Sequence, residues 1–279
     1  MSVSSPDLLA SCAIVLLVVV ASASHAVRAA LFGPRDEATE DAPTRTVALP
    51  VSVRTITVEV LGPIARTVAS AGISANAVTA FSLAAGATGG LFLACGHFGL
   101  AALAVVLASF GDAVDGLVAR RTCTASPGGA LFDASVDRYE EFFVLGGLAF
   151  FFRASEVVLA LALLALLGSF MVSYGSAKAE ALGVPVPRGI MRRAERAVFL
   201  GVGVTAVPIA GVVTHLLALP AWVEASPIVA ALAIVAVVAN VSAARRILII
   251  ARSASPRAAA PAPASEPEVA RESTADAAE

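Results

Sequence analysis

Apolar runs of about 20 residues recur along most of this chain, separated by short polar turns. A helix needs roughly 20 such residues to cross a bilayer core of about 30 Å, and a helix satisfies its own backbone hydrogen bonds in lipid. The six runs are residues 76–95, 100–120, 130–152, 155–180, 197–217 and 228–250. Hydrophobic residues make up 58% of the chain and charged residues 14%, which excludes an ordinary soluble domain. We predict an all-α, polytopic membrane protein with a six-helix transmembrane core.

The segments around this core differ from it in composition. Residues 1–34 contain one further apolar run, from Leu8 to Ala23, which predicts an uncleaved N-terminal anchor helix, although small residues near its end also suggest signal-peptide cleavage. Residues 35–52 are charged, contain prolines and predict a solvated linker. Residues 253–279, rich in Ala, Pro and Glu, predict a disordered cytoplasmic tail.

The membrane domain is predicted to cover residues 53–252. Its first part, Val53 to Ala71, mixes apolar residues with Arg54 and Glu59, which is typical of an amphipathic helix on the membrane surface. Ser74 is placed to cap the first membrane-crossing helix.

The basic residues predict an orientation. Of the 19 Lys and Arg residues, only Arg153 falls in a loop on the side reached after runs one, three and five. The opposite side carries Arg120, Arg121, Lys178, Arg188, Arg192, Arg193, Arg196, Arg245, Arg246 and Arg252. The positive-inside rule makes that side cytoplasmic. We therefore expect a multi-pass protein of the inner (cytoplasmic) membrane, and a net charge of −2 argues against a nucleic-acid partner.

Four aspartates interrupt the second and third runs. Asp112 and Asp115 are three residues apart and Asp133 and Asp137 are four apart, so each pair shares one helix face. A carboxylate within a membrane span costs on the order of 2.5 to 3.5 kcal/mol, so four together need compensating cations. Carboxylate oxygens without nearby histidine favour hard cations such as Mg²⁺, Mn²⁺ or Ca²⁺. The alternative is a set of structural ion pairs, Asp115 with Arg120 or Asp133 with Arg138.

Eight residues in this stretch together resemble the signature of the CDP-alcohol phosphatidyltransferase family, D-x2-D-G-x2-A-R-x8-G-x3-D-x3-D. All eight fixed positions match: Asp112, Asp115, Gly116, Ala119, Arg120, Gly129, Asp133 and Asp137. The resemblance extends over roughly residues 53–252. Gly128 and Gly129 are expected to form the tight turn before the second acidic helix.

The resemblance implies a function and assigns roles. The enzyme would transfer a phosphatidyl group from a CDP-activated lipid, such as CDP-diacylglycerol, to a small polar alcohol and release CMP. Asp112, Asp115, Asp133 and Asp137 would bind two Mg²⁺ or Mn²⁺ ions, with Asp137 also the general base. Gly116, Ala119 and Arg120 would bind the CDP moiety. A homodimer in contact with membrane lipid is expected by the same analogy.

The acceptor is predicted from weaker features. Arg138 directly after Asp137 resembles the phosphatidylinositol phosphate synthase branch, and the acceptor phosphate would then be bound by Arg138, Lys178, Arg192, Arg193 and Arg196. Ser176 departs from that branch, where another basic residue is expected. Glycerol 3-phosphate and serine are the alternative acceptors. The cluster from Lys178 to Arg196 also fits simple positive-inside flanking.

The sequence leaves alternatives open for the roles of two glutamates and for the class of protein. Glu140 and Glu141 continue the face of Asp137 and either bind acceptor hydroxyls or pair with Arg138 or Lys178. A cation-coupled transporter is the alternative from a different class. Its weakness is that the acids cluster at one membrane face instead of the midplane.

Overall fold

The computed structural model describes residues 4–32, 51–185 and 189–254. Within these residues the chain forms eight helices and no strand. They are α1 (Ser5–Phe32), α2 (Val51–Ser70), α3 (Ala75–Ala94), α4 (Phe98–Arg121), α5 (Pro127–Phe151), α6 (Glu156–Ala181), α7 (Arg193–Leu216) and α8 (Trp222–Ala254). The six predicted runs of the core correspond to α3 through α8, which confirms the all-α architecture.

The helix starts follow local sequence signals. The Ser74 side chain accepts a hydrogen bond from the Ala77 N–H, as predicted for the cap of α3. Ser126 caps α5 in the same way, and Pro127 occupies the first turn, where its missing N–H costs nothing. The prediction for Gly128–Gly129 was wrong, because both glycines lie inside the first turn of α5 and the chain reverses before Ser126.

Six helices of the described residues are long and apolar enough to cross a membrane: α1 over Ser5–Ser24, α3, α4, α6, α7 and α8. The helix α5 is 25 residues long but carries four acidic side chains and one arginine between Asp133 and Glu141. It packs between α3 and α6 and completes the bundle.

The core helices are arranged as a closed ring in the order α3, α4, α7, α8, α6, α5 and back to α3. Glycines allow the closest approach, between α3 and α5. A Cβ on Gly90 would collide with the Phe143 carbonyl, and a Cβ on Gly147 would collide with the Gly90 carbonyl. Small residues at such crossings are typical of helices packed in membranes. The ring brings the second half of α4, the first half of α5 and the start of α7 to the same end of the bundle.

The two N-terminal helices pack on the outside of the ring. The anchor helix α1 contacts α4 and α7, and Asp7 in its first turn accepts a hydrogen bond from the Leu100 N–H of α4. The helix α2 packs against α4 through Leu61 and Ala65. The predicted linker lies outside the described residues apart from residues 51 and 52, which belong to α2, and the predicted tail lies outside them beyond residue 254.

Candidate active site

Three acidic side chains meet where α4 and α5 face α7. Oxygen atoms of Asp112, Asp137 and Glu140 all lie within 4.8 Å of one another. Asp112 and Asp137 belong to the predicted metal ligands, whereas Glu140 lies one turn beyond Asp137. Glu140 is only 6% exposed. The site therefore concentrates negative charge in a largely buried place.

One guanidinium from the start of α7 lies among these acids. Arg193 Nη2 is 2.6 Å from Asp112 Oδ2 and 2.8 Å from Glu140 Oε2, and Arg193 Nη1 is 2.8 Å from Asp137 Oδ1. Two oxygens, Asp112 Oδ1 and Glu140 Oε1, are buried and reached by no hydrogen-bond donor of the described residues. Arg193 thus contacts three carboxylates at once, and the acids of the site outnumber the guanidinium groups that pair with them.

The remaining motif aspartates lie beside this cluster. Asp115, which is 5% exposed, accepts a 2.5 Å hydrogen bond from the Thr79 hydroxyl of α3. Asp133 lies one turn before Asp137 on α5 and is half-buried. Arg138 is 3.5 Å from Asp137 and donates to the Ala134 carbonyl. The structural ion pairs considered above, Asp115 with Arg120 and Asp133 with Arg138, are absent from the ion pairs of the described residues.

A second ion pair, between Arg196 and Glu141, stabilises the loop before α7. Arg196, which is 1% exposed, donates to both carboxylate oxygens of Glu141, at 2.6 and 3.0 Å, and to the Met191 carbonyl. Glu195 accepts hydrogen bonds from the Met191 and Arg192 N–H groups. The two glutamates at 140 and 141 therefore pair with α7, and not with Arg138 or Lys178.

The residues predicted for CDP binding follow the acids along α4. Arg120 is exposed, and its side chain folds back over Gly116, where a Cβ would lie 3.4 Å from Arg120 Nη1. Ala119 is half-buried next to it. On the helix face of Asp112, Gly116 and Ala119 are the small residues between this acid and the Arg120 guanidinium.

Basic side chains from three helices surround this end of the bundle. Lys178 near the end of α6 is exposed, and Arg192 precedes α7. Arg246 of α8 is 5% exposed and donates to the Val172 carbonyl at 3.2 Å and to the Ser176 hydroxyl. No carboxylate of the described residues pairs with Arg246. The structure thus places a cation at Ser176, where the sequence lacks one.

The donor set fits a hard divalent cation. The acidic side chains offer only carboxylate oxygens, the ligand type that Mg²⁺ and Mn²⁺ prefer. Two of those oxygens, on Asp112 and Glu140, are buried without a donor, and an additional cation would compensate them.

Known proteins resemble the chain in the same region. The profile of the CDP-alcohol phosphatidyltransferases matches residues 72–239, which include the complete signature and five of the six ring helices in full. This match covers more than half of the chain. The chain belongs to the CDP-alcohol phosphatidyltransferase family.

Individual relatives of this phosphatidyltransferase agree with that assignment. It is 32% identical to the phosphatidylinositol phosphate synthase of Streptomyces avermitilis over 208 residues, which cover 73% of this chain and 82% of the relative. It is 32% identical to the archaetidylinositol phosphate synthase of Methanothermobacter thermautotrophicus over 154 residues, 55% of this chain and 72% of the relative.

A solved structure shares the fold. The phosphatidylinositol phosphate synthase of Mycobacterium tuberculosis with CDP-DAG bound superposes with a TM-score of 0.59 at 24% identity, covering 69% of this chain and 94% of the other. Membership of the family makes this chain a membrane-embedded transferase and excludes the cation-coupled transporter considered above.

Sequence reasoning did not single out Thr79 as a partner of Asp115, and it did not predict the partners of Glu140 and Arg246. Thr79 and Arg246 lie 36 and 70 residues from their partners Asp115 and Ser176, so no local pattern connects them. The pairing of Glu140 with Arg193 spans 53 residues. Burial of a charged residue in an apolar run is the signal that singles out Glu140 and Arg246, but their partners depend on the order of helices in the ring.

Proposed function

We propose that the enzyme transfers the phosphatidyl group of CDP-diacylglycerol to an inositol phosphate and releases CMP. The observation that carries this proposal is the convergence of the signature acids with basic side chains from α6, α7 and α8 at one end of the bundle. The acids suit a metal-bound diphosphate, and the basic side chains suit a second, phosphorylated substrate. Relatives named for inositol phosphate lipids support the choice of acceptor.

In this proposal Asp112, Asp115, Asp133 and Asp137 bind two Mg²⁺ or Mn²⁺ ions. When bound, divalent cations neutralise a diphosphate and stabilise the charge that develops during phosphoryl transfer. Thr79 holds Asp115 in one orientation, which presets part of the ligand shell. A solved relative in complex with manganese and citrate supports this assignment.

In this proposal, signature residues of α4 and α5 act on the two substrates. Asp137 accepts the proton of the acceptor hydroxyl, whose oxygen forms a bond to the lipid-linked phosphorus. The bond from that phosphorus to the bridging oxygen breaks, and CMP leaves with the bonding electrons. Arg120 stabilises the leaving phosphate, while Gly116 and Ala119 leave space for the CDP moiety.

The acceptor phosphate is assigned to Arg138, Lys178, Arg192 and Arg193. Arg246 joins this set because it lies at Ser176 and because its buried Nε has no acceptor among the described residues. Arg196 is assigned a supporting part, since its guanidinium is already held by Glu141 and the Met191 carbonyl. Arg196 would then shape the acceptor site by fixing the loop that carries Arg192 and Arg193.

The proposal also includes the orientation of the enzyme in the membrane, its domain boundaries and its oligomeric state. By the positive-inside rule, the basic residues around this end support an active site at the cytoplasmic face of the inner membrane. Residues 1–34 serve as an anchor, 35–52 as a linker, 53–252 as the catalytic domain and 253–279 as a cytoplasmic tail. A homodimer is expected by family analogy.

The test measures CMP release by purified protein in detergent with Mn²⁺ or Mg²⁺ and CDP-diacylglycerol. Inositol 1-phosphate, inositol, glycerol 3-phosphate and serine are supplied separately. We expect release with inositol 1-phosphate only. Release with glycerol 3-phosphate alone or serine alone would overturn the acceptor assignment, and release with none of them from folded protein would overturn the proposed reaction.

A second measurement tests whether Arg246 belongs to the acceptor site. Arg246→Gln should raise KM for inositol 1-phosphate while KM for CDP-diacylglycerol stays unchanged, because Arg246 lies on the basic side of the site. Arg245→Gln is the matched control, since Arg245 is the exposed neighbour on the same helix. Equal effects of the two changes would argue against a specific role of Arg246.

A further inference from the structure

Glu140 lies outside the eight signature positions and yet belongs to the acid cluster. It is 6% exposed, and its Oε2 accepts a hydrogen bond from Arg193 Nη2 at 2.8 Å. Its other oxygen, Oε1, is buried without a donor of the described residues. A buried carboxylate is costly unless it has a charged or metal partner, so the position calls for a physical explanation.

The neighbouring helix leaves space for this side chain. Gly86 of α3 faces Glu140, and a Cβ on Gly86 would lie 2.9 Å from Glu140 Cγ. A larger residue at position 86 would therefore displace the glutamate from its place beside Arg193. The contact between α3 and α5 thus accommodates the charged side chain close to the cluster.

Arg193 and a divalent cation would share some of the same carboxylates. The guanidinium contacts Asp112, Asp137 and Glu140, and the first two are the proposed metal ligands. A divalent cation on Asp112 and Asp137 would repel the guanidinium and weaken its contacts with these two side chains. Among the described residues, Glu140 is the one ion-pair partner of Arg193 outside the proposed ligand set.

We propose that Glu140 is a positioning residue that keeps the Arg193 guanidinium beside the site when Asp112 and Asp137 bind a divalent cation. This rests on the proposed metal site. Arg193 provides part of the positive charge that the acidic cluster needs. With a divalent cation on Asp112 and Asp137, Arg193 would keep its contact with Glu140 and so remain at the edge of the site, where an acceptor phosphate would bind.

The test is a double-mutant cycle on Mn²⁺ binding, measured without substrates from the electron paramagnetic resonance signal of free Mn²⁺. Glu140→Gln in the otherwise unchanged enzyme leaves Arg193 without its alternative partner. We expect the Kd for Mn²⁺ to rise about tenfold, the size typical of coupled charged neighbours. In an Arg193→Gln background the same change should raise the Kd less than about threefold, because the competing guanidinium is gone.

A rise in Kd of equal or greater size in the Arg193→Gln background would overturn the proposal, since Glu140 would then bind the cation directly. An unchanged Kd after Glu140→Gln in the otherwise unchanged enzyme would overturn it as well. Gly86→Ala is the second variant: it keeps the charge of Glu140, shifts its side chain and should also raise the Kd. An unchanged Kd in folded Gly86→Ala protein would count against a role that depends on the position of Glu140.

This experiment is independent of the acceptor assignment. Because no substrate is present, the cycle can fail while inositol 1-phosphate remains the acceptor. It can equally succeed if CMP release identifies another acceptor. A failure of the proposed metal site is recognised separately, as the absence of saturable Mn²⁺ binding in the unmodified enzyme.

Discussion

Two buried acidic sites lie toward opposite ends of α4, and they differ in how their charge is satisfied. Near its start, Asp7 of α1 is 4% exposed and contacts the Leu100 N–H at 3.1 Å, His97 Nδ1 at 3.0 Å and the Ser4 hydroxyl at 2.6 Å. Toward its other end, Arg193 contacts three carboxylates, and buried oxygens of Asp112 and Glu140 have no donor in the part of the chain that the structure describes.

The difference separates a structural acid from a ligand-binding one. The Asp7 carboxylate is satisfied by several hydrogen-bond donors and attaches α1 to the start of α4. It requires no additional cation. At the other site the carboxylates outnumber the guanidinium groups that pair with them, so an added cation should stabilise them. The following experiments change one of these contacts at a time, and the last two ask whether Mn²⁺ compensates for the loss.

The largest effect is expected from Asp137→Asn. The amide cannot take the proton of the acceptor hydroxyl, so CMP release should fall by about 10²- to 10⁴-fold, the usual contribution of general base catalysis. CDP-diacylglycerol binding should be largely retained, because Gly116, Arg120 and the three other proposed metal ligands are unchanged. Turnover at the original rate in this variant would show that Asp137 is not the base.

Glu141→Gln should cause the largest loss of stability. It leaves Arg196, whose side chain is 2% exposed, as a buried charge with no carboxylate partner. Breaking such a pair costs about 3–5 kcal/mol, seen as a lower thermal unfolding midpoint in detergent. The double change Glu141→Leu with Arg196→Met should recover part of this loss. Equal midpoints for the single variant and the unmodified enzyme would contradict a structural role for the pair.

Thr79→Val tests whether a cation can replace a missing donor. Loss of the hydrogen bond to Asp115 should destabilise the metal-free protein by about 1–3 kcal/mol, because a buried acceptor stays unsatisfied. Mn²⁺ should restore more stability to this variant than to the unmodified enzyme, while Thr79→Ser should behave like the latter. Thermal unfolding with and without Mn²⁺ measures both effects. An Mn²⁺ response no larger than that of the unmodified enzyme would separate Asp115 from the metal site.

The smallest effect is expected at the other end of α4. Asp7→Ala removes a helix-capping carboxylate and should cost about 0.5–2 kcal/mol of stability. Mn²⁺ should not reverse this loss, and the folded variant should keep its rate of CMP release. Asp7→Asn is the matched control, because the amide oxygen still accepts from the Leu100 N–H. A rescue of Asp7→Ala by Mn²⁺ would remove the distinction between the two acidic sites.

The helices were predictable because membrane spans depend on local composition. Each of the six runs predicted a helix of the ring, and most ends agree within a few residues, since caps such as Ser74 act on adjacent backbone. The start of α5 was misjudged because Gly128 and Gly129 suggest a turn. There, Ser126 and Pro127 outweighed the low helix propensity of glycine.

The site was predictable only as far as its signature extends. Asp112 and Asp137 share a site, as their spacing and the family resemblance predict. The partners of Glu140 and Glu141 were not predictable, because Arg138 and Lys178 are nearer in sequence whereas Arg193 and Arg196 are nearer in space. The roles of all these residues in binding and catalysis remain predictions.

By itself the sequence determined the membrane class, the helices and the family, because hydropathy, helix caps and the spacing of the signature are local properties of the chain. Only the tertiary structure decided which charges meet. The ring order brings α7 against α4, α8 against α6, and α3 against both acidic helices, and pairing energy depends on distance in space. For that reason Arg193 lies among the acids of the site and Arg246 lies at Ser176. Asp7 accepts a hydrogen bond at the start of α4, far from this site.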